Sequence, residues 1–418
     1  MAQIEPLRAL HYNLEKTGGL QDVIAPPYDV IDAAPRAELA SRSPYNVVRI
    51  DLPQGEDPYQ SAAETLADWR AQQVIVQDEA PALWVLEQEY TGPDGQRRTR
   101  RGFLARVRVE QYGPGRIRPH ERTHPGPKED RLRLTRATKA NLSPIFSLFS
   151  DASGAARRAL EESTRGSPWG EATEADGTTD RIWRVSDPAA IAQLKDELAG
   201  CELLIADGHH RYETARAYAE EIGGEGEHRY VLMCLVALQD TGLTVFPTHR
   251  LLKELTSDQQ EALADAIRRH FEIAELPSTD ALAPKSDPEA LRMGYLDSHF
   301  KRPFMLTLTD HAAVDAALSD RAEAYRHLDT AVLEALILKG ALGMSDDDID
   351  HLHQLGYARN AADAIEQVRS GEYDATFLMA PIRVELVQAI AAAGESMPPK
   401  STYFFPKVPT GLVFNSLR

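Results

Sequence analysis

The chain has 418 residues, 43% of them hydrophobic and 26% charged, which is ample for packed cores and rules out a globally disordered polymer. Its net charge of −18 opposes a general nucleic-acid-binding role, because counterion release needs a positive surface. Two cysteines, Cys201 and Cys234, exclude a disulfide framework and any cysteine-rich zinc or iron–sulfur site.

In chain order, the first ten residues carry Glu5, Pro6 and Arg8 and lack the apolar centre of a secretory signal. The longest uncharged apolar run, Val231 to Leu238, is too short for a membrane helix, so a cytoplasmic chain is expected. Ala25-Pro26-Pro27-Tyr28-Asp29-Val30 reads as a rigid extended lead into a polar Tyr-Asp pair, either plain structure or part of a site. A helix is expected from Tyr59 to Gln73, with Ala62, Leu66 and Trp69 on one face. Leu83 to Tyr90 and Phe103 to Val109 flank the Gly92-Pro93-Asp94-Gly95 turn signal of a hairpin.

Charge is uneven. From Arg97 to Lys139 there are 14 Lys and Arg against 4 Asp and Glu, a balance of +10 that leaves −28 for the rest. One basic segment in an acidic body suits a small anionic ligand; the bland reading is a solvated edge hairpin. Within this segment His120-Glu121-Arg122-Thr123-His124 matches the zinc pattern H-E-x-x-H, but Pro119, Pro125 and Pro127 deny it the helix that would align both histidines. A basic loop followed by a short helix fits better. It offers His120, Arg122, His124, Lys128, Arg131 and Lys139 as phosphate or carboxylate contacts and Glu121 as an acid/base.

Asp151 to Asp180, rich in Ala, Gly, Ser, Thr and Glu, reads as a linker. It separates a β-rich half with the basic loop, 1–155, from an α/β half, 180–418. In the second half Asp187-Pro188 starts a helix that Gly200 closes, and Cys201 to Ala206 is a short strand. His209 to Ile222 is a helix stopped by Gly223-Gly224, and Val231 to Leu238 a strand buried on both faces. Further helices are expected at Ser257 to Phe271, with Gln260 completing a capping box, at Asp329 to Leu342 and at Arg383 to Ala393. Strands are expected at Phe304 to Leu308 and Ala375 to Met379, so the fold class is α/β (α+β) with a mixed sheet.

The strongest local signal is Ala206-Asp207-Gly208-His209-His210-Arg211, an apolar strand running through glycine into a helix. A helix N-terminus offers free N–H groups and partial positive charge to phosphate. Arg211 adds a planar fork, and His209 and His210 add donors near neutral pH. Asp207 could cap the helix, hold Mg²⁺ or accept a proton; the bland alternative is a cap beside exposed histidines. Arg211→Ala is expected to abolish nucleotide binding and leave the fold intact. Pro247-Thr248-His249-Arg250 places His249 and Arg250 at a strand end, as substrate contacts or plain structure. Met397 to Lys407 holds Lys400, Ser401 and Thr402 between prolines and aromatics, either an anion-holding loop or a packed tail. Asp346-Asp347-Asp348 reads as an acidic helix start, with metal binding as the lesser alternative.

Taken together, APPYDVI, HERTH, ADGHHRYETA, PTHRLL and MPPKSTYFFPK resemble the prokaryotic family known as domain of unknown function 1015, over nearly the whole chain. The Asp207–Arg211 stretch also resembles the nucleotide-binding motif of the ParB/sulfiredoxin-like superfamily, which includes free-serine kinases. That resemblance implies a ParB/sulfiredoxin-like core with helical elaborations, and Asp207, Gly208, His209, His210 and Arg211 along the phosphates of ATP or ADP. Histidine stands where sulfiredoxins carry their cysteine, and no helix-turn-helix of the ParB type is found. It implies a nucleotide- and Mg²⁺-dependent phosphotransferase acting on a small hydroxyl metabolite, with free serine the leading acceptor. Asp29 or Glu121 would be the acid that orients the acceptor, and Lys400 with the basic loop would hold the acceptor's carboxylate or the distal phosphates. The alternative is a nucleotide-binding or -hydrolysing regulatory module. Neither reading involves a nucleic-acid polymer or a membrane, and both are compatible with a homodimer.

Overall fold

The computed structural model describes residues 2–92, 95–120, 125–398 and 400–418. The chain divides into two units, Met1–Pro119 with Thr123–Thr244 and Pro406–Arg418, and His120–Arg122 with Val245–Phe405. The boundary expected at 151–180 therefore falls inside the first unit, and the tail returns to that unit after the second is complete.

Among the described residues the first unit is built on a nine-stranded mixed sheet. Its strands are β1 (Ile4–Glu5), β2 (Leu83–Thr91), β3 (Arg97–Arg108), β4 (Ile117–Arg118), β5 (Ile145–Phe149), β6 (Gly170–Thr173), β7 (Thr179–Val185), β8 (Leu203–Asp207) and β9 (Tyr230–Ala237). Across the sheet they run β4-β8-β5-β9-β3-β2-β7-β6, with β1 also on β3. One face packs Val85, Phe103, Ile145, Ile205, Met233 and Leu235 under helices, so β9 is buried along its length as an uninterrupted apolar run should be.

The expected hairpin forms, but not at an edge: β3 lies between β9 and β2. The linker reading of 151–180 is overturned, because the segment holds the helix Ala155–Ser163 and the β6–β7 hairpin. Its small residues pack closely. Ala155, Ala156 and Ala159 are buried, and a Cβ on Gly170 would lie 2.6 Å from Leu20.

In the second unit six strands, β10 (His249–Leu252), β11 (Phe271–Glu275), β12 (Arg292–Asp297), β13 (Phe304–Leu308), β14 (Leu355–Ala358) and β15 (Ala375–Leu378), order as β11-β13-β12-β15-β10-β14. Every pair within it is antiparallel. The helix Ser257–His270 starts where read, but its cap is Thr256, and Gln259 rather than Gln260 completes the box. Asp329 to Leu342 is not one regular helix: an α-helix over Asp329–Leu333 widens into π geometry over Glu334–Lys339. Among the described residues no helix is long and apolar enough to cross a membrane.

Candidate functional site

The β8–helix junction in the first unit forms as the sequence implies. Register slips between Ile205 and Asp207 against β5, and this irregularity re-aims the end of the strand. Gly208 has φ +93°, a left-handed conformation, and stands as N-cap of the helix His209–Ile222, to which it brings no side chain. The space a Cβ would take at Gly208 is filled by Arg211, whose Nε would lie 2.9 Å from it. The glycine thus makes room for Arg211.

Asp207 is held by two cations. Lys407 Nζ donates to one carboxylate oxygen, and Arg211 Nη2 donates to the other at 2.6 Å. Burial alone would raise this carboxyl; Lys407 and Arg211 more than offset it and hold it well below the ordinary aspartate range. Such a carboxylate is a poor proton acceptor. Each of its oxygens already accepts from a cation, so the base role expected of Asp207 does not fit the geometry, and a Mg²⁺ ion there would compete with Lys407 and Arg211. Among the described residues no group of three or more His, Cys, Asp and Glu is placed to hold a metal ion.

Arg211 is 9% exposed, so it is not the open phosphate fork expected. Its Nη1 donates to Ser143 Oγ at 2.8 Å and to the Pro144 carbonyl, while Thr410 Oγ1 donates to the same Ser143 oxygen at 2.9 Å. The Tyr28 ring lies 6.0 Å from the Arg211 guanidinium and 4.4 Å from that of Arg131. Arg131 in turn donates to Asp51 Oδ1 at 3.2 Å and to the Asp51 carbonyl at 2.7 Å. Burial pushes the Tyr28 hydroxyl up to about 12 and raises the Asp51 carboxyl, against the pull of both arginines. These groups line a cleft of about 40 Å³ with Thr214. Asp29 stands exposed beside Tyr28, close enough for its charge to act on Arg211. His209 is buried and His210 half-buried in the first turn.

Lys407 is placed by its own backbone: Gln88 Nε2 donates to its carbonyl at 2.9 Å and to Asp180 at 2.7 Å. Gln88 also accepts from buried Arg100, whose guanidinium lies 4.4 Å from the Phe146 ring.

The remaining expected contacts lie in the second unit. His120 is fully buried, its Nε2 2.7 Å from Thr402 Oγ1. His249 Nδ1 accepts the Met379 N–H at 3.1 Å, and burial, aided by Arg250, pushes its imidazole down to about 4, so it is neutral at physiological pH. Arg250 is buried, donating to the Thr248 carbonyl at 2.5 Å and the Lys400 carbonyl at 3.2 Å. Ser401 Oγ donates to the Pro398 carbonyl at 2.7 Å and lies 3.0 Å from Thr330 Oγ1. Lys400 is exposed at φ +56°. Apart from Lys400, these side chains are engaged inside their own unit. Glu121, Arg122 and His124 lie outside the described residues.

The basic segment is largely neutralised where it is described. Arg101 pairs with Glu87 at 2.7 Å, Arg108 with Glu225 at 2.6 Å, Lys128 with Glu213 at 2.9 Å and Arg136 with Glu221 at 2.8 Å. The local excess of +10 is thus matched by acidic residues distant in sequence rather than held for a ligand. Lys139 is exposed, closing its helix at φ +52°. Burial, then Asp151 and Glu197, raises the Cys201 thiol, which is not an activated nucleophile. Asp348 caps its helix reciprocally with Ser345, as the acidic-start reading implies.

Lys407, Ser143, Asp51 and Thr410 complete the Asp207–Arg211 assembly and were not singled out from the sequence. Only Lys407 carried a signal, as the last residue of the Met397–Lys407 segment.

The family described as "Protein of unknown function (DUF1015)" matches residues 4–331. No curated protein matches. Among solved structures, a conserved hypothetical protein from Pyrococcus furiosus is 15% identical at a TM-score of 0.35, over 70% of this chain and 89% of that one. A free serine kinase in complex with AMP is 15% identical at a TM-score of 0.35, over 71% and 88%. SbnI with a C-terminal truncation, from Staphylococcus aureus, is 14% identical at a TM-score of 0.36, over 73% and 84%.

Proposed function

The chain belongs to the family of proteins of unknown function DUF1015, and from the groups around Asp207 we propose that it is a nucleotide-dependent phosphotransferase acting on a small hydroxyl metabolite, with free serine the leading acceptor. One observation carries this reading: a left-handed glycine stands as N-cap at the start of a helix, beside a lysine and an arginine locked on one carboxylate. Backbone N–H groups and the helix dipole favour phosphate at that end, and the likeness of the Asp207–Arg211 motif to the ParB/sulfiredoxin-like pattern points the same way.

Phosphoryl transfer asks the protein mainly to position groups and balance charge. The terminal phosphate of ATP or ADP is seated at the first turn, with His209 and His210 as donors. Lys407 Nζ, half-buried on Asp207, is the cation best placed to share its charge with the transferring group. Arg211 holds Asp207 and the Ser143 loop in position rather than reaching the phosphate itself. The acceptor oxygen attacks the terminal phosphorus, the bond to the leaving nucleotide breaks, and the acceptor proton passes to a carboxylate. Asp29 is the described residue for that role, exposed beside the Tyr28–Arg211 pair; Glu121 is the other candidate. Both Asp207 oxygens already accept from a cation, and no step is assigned to Mg²⁺ on the protein.

Incubating the purified chain with labelled ATP or ADP, with and without a panel of hydroxy amino acids, tests the reading. Acceptor-dependent label transfer supports it. Acceptor-independent hydrolysis supports the regulatory module instead, and absence of nucleotide binding removes both.

A further inference from the structure

A cavity of about 370 Å³ lies wholly within the second unit, and neither the motifs nor the proposed reaction uses it. Its walls come from the loop 285–290, the starts of the helices His311–Ala317 and Val384–Ala392, the residues around Arg326 to Asp329, and the turn after β15. The volume is in the range of small-molecule sites, and the lining combines apolar and charged groups as such sites do.

Three chemically distinct surfaces meet there. One is anionic: Asp329 is 8% exposed, and its oxygens accept backbone N–H groups, from Thr330 at 2.7 Å and Ala380 at 3.1 Å, with the Arg250 charge acting on it as well. Each oxygen keeps acceptor capacity, and burial leaves the charged form of this carboxyl short of stabilisation. The second surface is cationic. Arg326 pairs with Asp315 at 2.6 Å through Nη1, but its Nε is buried with no hydrogen-bond partner. Lys285 and Arg383, both exposed on the lining, have no ion-pair partner among the described residues. The third is apolar, formed by Val314, Leu328, Ile382 and Leu386.

We propose that this cavity binds a small amino acid with an aliphatic side chain, its ammonium on Asp329, its carboxylate on Arg326 and Arg383, and its side chain against Val314, Leu328 and Leu386. A simple anion leaves the Asp329 oxygens without an ammonium, and a simple amine leaves the Arg326 Nε and Arg383 without an anion; a zwitterion answers both. The apolar wall selects an aliphatic body over a polar one. This site stands independently of the phosphotransferase reading.

The probes are leucine, 4-methylpentanoate, which lacks the ammonium, and isoamylamine, which lacks the carboxylate. Each is titrated into the full chain by calorimetry, without nucleotide. Leucine is expected to bind at least about tenfold more tightly than either analogue. Arg383→Ala, an exposed change that spares the fold, and Asp329→Asn are each expected to weaken it by about tenfold, the scale of one lost polar contact. No heat from leucine at millimolar concentration overturns the proposal. So does leucine binding that is unchanged in Arg383→Ala with its melting temperature preserved, or 4-methylpentanoate binding as tightly as leucine.

Discussion

Lys407 Nζ and Asp207, 200 positions apart, form a largely buried ion pair at the mouth of the left-handed Gly208 turn. The pair ties the C-terminal segment to the end of β8, and Gln88 fixes the Lys407 backbone beneath it. Lys407→Met removes one of two cations from a buried carboxylate, and such losses cost about 3 kcal/mol or more when nothing replaces the partner. Because Arg211 remains, a smaller loss, about 2 kcal/mol, is expected in urea denaturation, together with loss of nucleotide binding in calorimetry. Full nucleotide affinity in a folded Lys407→Met protein would remove Lys407 from the site.

Arg211→Ala is expected to cost more. The guanidinium satisfies Asp207, Ser143 and the Pro144 carbonyl at once, so truncation leaves a buried charge and two acceptors with fewer partners, on the order of 3–5 kcal/mol. An unaltered stability is therefore not expected of Arg211→Ala. Lysine at this position cannot reproduce the fork, so Arg211→Lys recovers only part of the loss. The midpoint of urea unfolding checks both variants, and a wild-type midpoint for Arg211→Ala would contradict the network.

Acidity contributes through Asp207 as well. Its folded carboxyl lies below the unfolded value of about 4, so it contributes stability above that pH and loses it as pH falls further. Asp207→Asn is therefore expected to be less stable than wild type at pH 7 and closer to it at pH 3, read from urea midpoints at the two values. A constant difference across that range would show that the two cations do not lower this group.

What could be read from the sequence follows from the range of each interaction. The helix His209–Ile222 was legible to the residue because Gly208 and Gly223, both at positive φ, bracket it locally. The buried run of β9 was legible for the same reason, since every residue in it needs an apolar neighbour on either face. The character of 151–180 was not: alanine and glycine look alike in a linker and in a close-packed helix, and only contacts such as Gly170 against Leu20 distinguish them. Charge misled for a related reason. Arg101, Arg108 and Arg136 form a basic cluster in sequence, yet their carboxylate partners lie 14, 117 and 85 positions away. Lys407 was hidden likewise, its meaning residing wholly in a partner half the chain distant.

Asp29 is the position where chemistry can be separated from folding. It is exposed and makes no hydrogen bond among the described residues, so Asp29→Asn leaves the melting temperature unchanged. If it takes the acceptor proton, turnover falls by about 10²–10⁴-fold while nucleotide affinity holds. Turnover within a few-fold of wild type would shift that role to Glu121.

The second unit offers a pH test of opposite sign. Burial pushes the Asp329 carboxyl up to about 6, although Arg250 and the Thr330 and Ala380 N–H groups pull it down. The unfolded chain releases this proton near pH 4, so the folded state holds it over a window in which the unfolded state does not. Its contribution is therefore fully present below about pH 4 and is lost as pH rises through about 6, a change on the order of 3 kcal/mol. Asp329→Asn removes the titration, so the stability difference between wild type and variant should shift towards the variant between pH 4 and pH 7. Urea denaturation at several pH values, followed by fluorescence, measures it. A difference flat across that interval would mean that Asp329 is solvated in the cavity and stabilised there as an ordinary carboxylate.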